Sequence, residues 1–391
     1  MSRSKRHILI ISTCFIDWGG SEELWACSIP YLQAEGFEII VYKKNINSSF
    51  HRFSDMANHG VALKDYRSSL SLPSRVINKL VGMAKKAYAE SKDLAAEKTP
   101  DLGLEKILEH FRPEMVLISQ GINFDGLLYA HQCLIREIPY VIVSQKAVDF
   151  YWPDKKDRSF MIEAYQKAKK NFFVSRHNQR LTEEQLGTRL PNSEVIFNPV
   201  KTSRRVVPYP STENGFRLAC IARLFLLDKG QDILIRILAK DKWKRRPLHI
   251  TFVGSGDDRE PLLEMAKLLN VTNIDFAGQS NNIESIWHDH HALILSSRSE
   301  GLPMAMVEAM SNGRTVIVTN AGGIAELVED GVTGFLGNID QDQFESTMER
   351  AWNQRHEWEN MGHAAAKFIQ EKVPAKPEFD FSNQLKTLIN D

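Results

Sequence analysis

What most restricts the architecture of this chain is a rhythm that runs, stops and starts again. Short aliphatic runs stand at HILIIS (7–12), EIIVYK (38–43), MVLISQ (115–120), YVIVSQ (140–145), NFFVS (171–175) and EVIFN (194–198), with helical patterns such as 21–35 and 103–111 between them. Strands this uniformly apolar are covered on both faces, as in a parallel sheet between helices, and their alternation with helices builds βαβ units. The stretch KTSRRVVPYPSTENGF (201–216) is polar, carries two prolines and reads as a linker. The rhythm then resumes with RLACIAR (217–223), LHITFVG (248–254), IDFAG (274–278), ALILSS (292–297), TVIVTN (315–320) and GFLG (334–337). A chain of 391 residues exceeds what one core usually serves. The expected class is therefore α/β, with two Rossmann-like lobes facing a central cleft and ligands outside the carboxyl ends of the strands.

Charge excludes little and suggests no polyanion. Lysine plus arginine (49) equals aspartate plus glutamate (49), which gives no global reason to expect nucleic acid. Cys14, Cys27, Cys133 and Cys220 lie far apart beside apolar residues, as buried free thiols in a reducing compartment do. The N-terminal run Ile8–Ile11 is too short for a signal peptide, and no stretch approaches the ~20 apolar residues of a membrane span, so a cytoplasmic setting is expected. Within 75–90, Val76, Ile77, Leu80, Val81, Ala84, Ala87 and Tyr88 recur at helical spacing beside Arg75, Lys79, Lys85 and Lys86. That pattern fits a basic amphipathic helix making peripheral contact with anionic lipid, or an ordinary surface helix with a solvated face.

The chemistry is concentrated in 297–337, SRSEGLPMAMVEAMSNGRTVIVTNAGGIAELVEDGVTGFLG. A strand, a turn at Glu300-Gly301-Leu302-Pro303 and a helix from about Met304 place unpaired backbone amides and a partial positive charge at the helix mouth, which suits phosphate. Gly301 allows close approach of the backbone, and Pro303 suits the first helical turn. Glu300 and Glu308 stand eight apart, at the loop tip and about two turns along the helix. This segment resembles the E-x7-E motif of retaining GT-B glycosyltransferases, in particular glycosyltransferase family 4 (group 1). The stretch AGGIAELVEDGVTGFL is similar to the glycine-rich run that follows it there. The resemblance implies that Glu300 contacts the transferred sugar and Glu308 the ribose hydroxyls. It also implies that the amides of Gly301, Leu302, Met304 and Ala305 hold sugar and phosphates.

IARLFLLDKGQDILI (221–235) is similar to the family's G-R-L-x4-K-G, which assigns Arg223 and Lys229 to the departing diphosphate. DWGGSEELW (17–25) resembles its glycine loop through Gly19 and Gly20, with Glu22 and Glu23 serving the helix start. VGSG (253–256) with Gly254 resembles a loop bordering the phosphates, and FAGQS (276–280) a loop reading the base near Gly278 and Gln279. VIFNPV (195–200) resembles the strand end before the linker. Where many relatives place a histidine against the donor sugar, this chain has Gln145, which hydrogen-bonds but does not titrate near neutral pH. Lys146, Asp149 and Phe150-Tyr151-Trp152 stand as candidates for acceptor binding, or the aromatics as a buried cluster.

Two apparent metal motifs are set aside. His288-Asp289-His290-His291 sits between a helix and a strand, and Asp340-Gln341-Asp342 opens a helix, where aspartate caps. The resemblance thus implies a hexosyltransferase with no metal and no cofactor, the nucleotide-sugar being a co-substrate. Its donor would be a UDP-sugar by preference, GDP-mannose otherwise, and its acceptor a glycan, a lipid-linked molecule or a small molecule. The implied boundaries are 1–203 for an acceptor lobe, 204–372 for a donor lobe and 373–391 for a terminal helix crossing back onto the first lobe. A nucleotide-sugar epimerase of the same fold and a non-catalytic nucleotide-sugar binding protein are the competing readings. The oligomeric state has no signature in the sequence.

Overall fold

A computed structural model describes residues 6–14, 18–65 and 102–391, so the basic stripe of 75–90 lies outside the described residues. The chain divides into two compact units. The first comprises Met1–Phe173, Gln179–Asn198 and Pro377–Asp391; the second, Val174–Asn178 and Pro199–Lys376.

The first unit is built on a parallel sheet of β1 (Arg6–Ser12), β2 (Phe37–Lys43), β3 (Ala62–Asp65), β4 (Met115–Gln120), β5 (Tyr140–Ser144), β6 (Lys170–Phe173) and β7 (Ser193–Val195). Their spatial order is β3-β2-β1-β4-β5-β6-β7. Central β1 pairs on both sides, Ile8 standing opposite Ile39 and Met115. The two-residue pleat sends Leu9 and Ile11 into one core cluster and Ile8 and Ile10 into another. Each face is covered, which is why the run is apolar throughout. Strand β3 departs from the sequence reading. Its residues ALKD are half-buried at a sheet edge, and so short and polar a strand carries no aliphatic run to announce it.

The helix Pro377–Asn390 belongs to this first unit. Phe381 and Leu385 join the cluster containing Ile8 and Ile10, and the Phe381 ring meets Phe172 edge-on at 5.1 Å. Ser28 Oγ donates to the Glu378 carbonyl at 3.1 Å, and Gln384 Nε2 to Glu194 at 2.8 Å.

The second unit repeats the plan with β8 (Phe216–Ile221), β9 (Leu248–Val253), β10 (Ile274–Gly278), β11 (Ala292–Leu295), β12 (Thr315–Thr319) and β13 (Gly334–Gly337). All pair in parallel, in the order β10-β9-β8-β11-β12-β13. The winding reverses between β8 and β11, where crossovers leave to opposite sides of the sheet. In open sheets of this kind the crevice at that reversal receives the ligand. The loops that follow these two strands carry Arg223 and Lys229 on one side and Glu300 on the other.

The linker is tied down by Arg314. This guanidinium is 1% exposed and donates to the carbonyls of Trp287, His290, Val207 and Pro208. Burial pulls its pKa down to about 10, so it stays charged at neutral pH. None of the four cysteines forms a disulfide, but only Cys133 and Cys220 are buried; Cys14 and Cys27 are partly exposed, Cys14 lying in the loop beyond β1 rather than in the sheet. No helix among the described residues is long and apolar enough to cross a membrane.

Candidate active site at the switch point of the second sheet

The loop leaving β8 folds into a single turn of helix, Leu226–Lys229, which ends at Gly230 in the left-handed conformation, φ +61°. A Cβ there would come within 2.2 Å of the Ser296 carbonyl, so only glycine lets this turn lie against the end of β11. Lys229 is thereby delivered to Glu300: Nζ donates to Oε1 at 2.7 Å, and Ser297 Oγ donates to the same oxygen at 2.7 Å. Glu300 is 6% exposed. Arg223 is more open, stacked over the Phe225 ring at 4.5 Å and 3.5 Å from Asp228. Cys220, at the end of β8, has its thiol pushed up to about 12 by burial and remains neutral.

Glycines bring the neighbouring loops into contact. A Cβ on Gly254 would stand 2.1 Å from the Ala222 carbonyl, and one on Gly256 2.1 Å from that of Leu224. The Gly254 amide donates to the Gly278 carbonyl at 2.8 Å, beside a register shift between Phe276 and Gly278 that ends β10. Gln279 follows, exposed. On the other flank Gly322, φ +59°, lies where a Cβ would meet the Glu300 carbonyl at 2.1 Å, and the Gly323 amide donates to the Gly301 carbonyl at 2.7 Å. The turn carrying Glu300 and Gly301 is thus held from behind by backbone alone.

Beyond it the helix Met304–Ser311 begins after Pro303. Gly301 is buried, while Leu302, Met304 and Ala305 are half-buried at the mouth. The first amides of a helix have no partner within it, and those of Met304 and Ala305 open this one. Glu308, 3% exposed, accepts the Lys201 amide through Oε1 at 3.0 Å.

The remaining sequence candidates lie in the first unit. Gly19 precedes and Gly20 begins the helix Gly20–Ala34. Glu22 Oε2 accepts the Gly19 amide at 3.2 Å, which is the helix-start role expected of it. It does more: Oε1 takes the Ser12 hydroxyl at 2.8 Å and stands 3.5 Å from Lys43 Nζ, both charged side chains being fully buried. Glu23 accepts the Trp18 indole and Arg52. Gln145, just beyond β5, receives Asn198 Nδ2 on its Oε1 at 2.8 Å, while its buried Nε2 has no partner among the described residues. The aromatic run is not a buried cluster. Phe150 is 70% and Trp152 59% exposed, and Tyr151 alone packs against the core. Lys146 is half-buried and Asp149 exposed.

Sequence reasoning missed Ser297, Arg298 and Asp232. Arg298 forks onto Asp232 at 2.7 and 2.9 Å and reaches the Leu226 carbonyl at 2.7 Å. Burial alone would raise the Asp232 pKa, but the hydrogen bonds from Arg298 and Arg236 prevail and hold it below the usual carboxylate range. The apparent metal motifs have other work. His291 Nδ1 accepts the Arg217 amide at 3.0 Å and its Nε2 faces the Ser211 carbonyl at 3.2 Å, so the ring joins linker to β8. Asp340 caps the helix Gln341–Asn353 through the amides of Asp342 and Gln343. No group of three or more His, Cys, Asp or Glu side chains gathers as a metal site among the described residues.

The profile of the family described as glycosyl transferases group 1 matches residues 207–368, which takes in β8 to β13 and both site loops. The chain carries a group 1 glycosyl transferase domain. Among curated relatives, an uncharacterized glycosyltransferase of Methanocaldococcus jannaschii is 28% identical over 183 residues, 46% of this chain and 48% of its own length. The lipopolysaccharide 1,6-galactosyltransferase of Escherichia coli K12 is 31% identical over 153 residues, 36% of this chain and 41% of its own. The chain therefore spans less than half the length of these relatives. Among solved structures, Anabaena HepE in complex with UDP-glucose superposes with a TM-score of 0.72, covering 97% of this chain and 99% of that one at 16% identity. That likeness extends the GT-B fold beyond the group 1 domain to both units.

Proposed function

We propose that this chain is a retaining, metal-independent glycosyltransferase that moves a hexose from a nucleotide diphosphate sugar to a glycan, lipid-linked or small-molecule acceptor. The observation that carries the reading is the Lys229–Glu300 pair, 2.7 Å apart, at the mouth of the helix Met304–Ser311 and inside the group 1 domain. A cation there meets the diphosphate as charge develops on it, beside helix amides that favour the same anion. Glu300 then holds sugar hydroxyls and Glu308 the ribose. Arg223 closes over the diphosphate from the exposed side, with Gly254 bordering it and Gly278 and Gln279 at the base. By the same family resemblance Gly19, Gly20 and Gln145 of the first unit are substrate-binding residues, Gln145 through an amide with no partner among the described residues. The acceptor oxygen attacks the sugar's anomeric carbon on the face that the phosphate leaves, and the acceptor proton passes to the departing phosphate oxygen. The products are a glycoside and the nucleoside diphosphate.

A uridine donor is favoured because the fold is shared with HepE, whose structures hold UDP and UDP-glucose. Relatives named for lipopolysaccharide and O-antigen synthesis favour a growing surface glycan as acceptor. Calorimetry with UDP and GDP, followed by radiolabelled transfer with and without EDTA, tests the reading. UDP binding and EDTA-resistant transfer are expected. Isomerisation of donor without acceptor would establish an epimerase instead, and donor binding with neither transfer nor hydrolysis a non-catalytic binder.

A further inference from the structure

The Lys229–Glu300 contact joins two loops that the chain brings together across many residues, and nothing in either side chain fixes their mutual register. The fastening lies one residue layer behind. The Asp228 carbonyl accepts the amides of Arg298 at 2.7 Å and Ser299 at 3.1 Å, binding backbone to backbone on one side of Lys229. On the other side the Arg298 guanidinium forks onto Asp232 at 2.7 and 2.9 Å, and one of its nitrogens also donates to the Leu226 carbonyl at 2.7 Å. Arg298 therefore grips the Leu226–Asp232 segment at both ends, with Lys229 between the grips and Glu300 two residues beyond Arg298. Arg236 donates to the same Asp232 carboxylate from the following turn, so that carboxylate is fully engaged. A planar five-donor fork fixes angle as well as distance, which an ammonium does not.

We propose that Arg298 and Asp232 form a positioning pair that sets Lys229 against Glu300 and thereby the strength with which the departing diphosphate is held. The proposal rests on the function given above and deepens it. Neither residue is a catalytic group. Arg298 is spent on Asp232 and on backbone, and it acts on the diphosphate only through the placement of Lys229. Loosening the fork lets the Leu226–Lys229 turn shift, and displacements of about 1 Å in a positioned group cost as much as 100-fold in rate.

The test uses the full chain. Arg298→Lys, Arg298→Gln and Asp232→Asn are compared with the unmodified protein for kcat of transfer, UDP affinity by calorimetry and thermal midpoint. Every variant that remains folded at the assay temperature is expected to lose about 10- to 100-fold in kcat, Arg298→Lys included because it keeps the charge and loses the fork. UDP affinity should weaken in parallel. In a Lys229→Ala background, Arg298→Gln should have no further effect on UDP affinity, since the group it places is gone. A folded Arg298→Lys or Asp232→Asn protein with unaltered kcat and UDP affinity overturns the proposal. So does a UDP penalty for Arg298→Gln that persists undiminished without Lys229, which would mean that Arg298 meets the phosphates itself. If the unmodified chain neither binds a nucleoside diphosphate nor transfers sugar, the parent reading falls and takes this one with it. If the unmodified chain does both while the variants match it, this inference alone falls.

Discussion

Glu308 and Lys201 share a hydrogen bond of 3.0 Å, in which the carboxylate accepts the backbone amide at the head of the linker. One acidic side chain on the helix behind the Gly301 turn therefore fastens the segment that enters the second unit. Glu308→Gln keeps an acceptor for Lys201 but loses the charge proposed to face the ribose hydroxyls. Hydrogen bonds to a charged group contribute about 1.5–3 kcal/mol, so UDP affinity should fall roughly 10- to 100-fold with little change in melting temperature. Calorimetry beside a thermal melt reads both; a UDP affinity equal to that of the unmodified protein would remove Glu308 from the site.

Lys229 and Glu300 should separate chemistry from folding. Replacing Lys229 by alanine removes the charge proposed to face the leaving diphosphate, and losses of about 100- to 1,000-fold in kcat are typical for such donors. Glu300→Ala should abolish measurable transfer, because it removes the proposed sugar contact and the partner of Lys229. Both proteins should keep the native circular dichroism spectrum. Turnover at the unmodified rate in either would dismiss the assignment.

Gly322 tests whether the Glu300 turn depends on its backing. Alanine at φ +59° is strained, and its Cβ would collide with the Glu300 carbonyl at 2.1 Å. Strain of this kind costs about 1–3 kcal/mol and must be relieved by displacing the turn. Gly322→Ala is expected to lower kcat well beyond what its drop in stability explains, whereas alanine at Gly331, φ +78° with nothing within 4 Å, should spare turnover. Steady-state kinetics on the two variants make the comparison.

Arg314 predicts a purely structural lesion. Its removal leaves the carbonyls of Trp287, His290, Val207 and Pro208 without this donor, the first three on buried residues. Unsatisfied buried groups cost about 1–3 kcal/mol each before relaxation, so Arg314→Met should destabilise the second unit by roughly 3 kcal/mol or more. Urea denaturation followed by tryptophan fluorescence would register it, and a midpoint unchanged from the parent would contradict the account.

Burial depresses both His290 and His291 below the ordinary histidine value of 6.5, outweighing the backbone hydrogen bonds that would raise them. With a folded pKa below the unfolded one, the unfolded chain takes up protons first as pH falls through about 6.5, and stability declines from there until the folded pKa is reached. The denaturation midpoint should therefore drop between pH 7.5 and 5.5, and the drop should shrink in His290→Gln. A slope identical in parent and variant would exclude His290 from this role.

The two-sheet plan is written plainly in the chain because a strand buried on both faces must be apolar at every position, as Ile8–Ile11 are. Strand β3 escaped notice for the converse reason, being short, edge-placed and half-buried. Glu300, Glu308 and Lys229 were singled out through their resemblance to a family motif, and the fold brings Lys229 and Glu300 into contact. Arg298 and Asp232 were not. Their pairing joins positions far apart in sequence, and an Arg in a loop and an Asp in the first turn of a helix look like any solvated charges until the two strands lie side by side. Gln145 was singled out for the histidine it replaces, but its tie to Asn198 is likewise a product of tertiary folding.

The helix Pro377–Asn390 places Phe381 and Leu385 in a core whose other members include Ile8, Val41 and Phe172. On the ribosome, then, the unit translated first is the one that must wait. Its sheet can assemble as it emerges, but the gap beneath Phe172 stays open until the second unit and the helix beyond it have been translated. Premature termination upstream of Pro377 would leave a greasy notch in the early half of the molecule, a substrate for chaperones rather than a smaller folded protein.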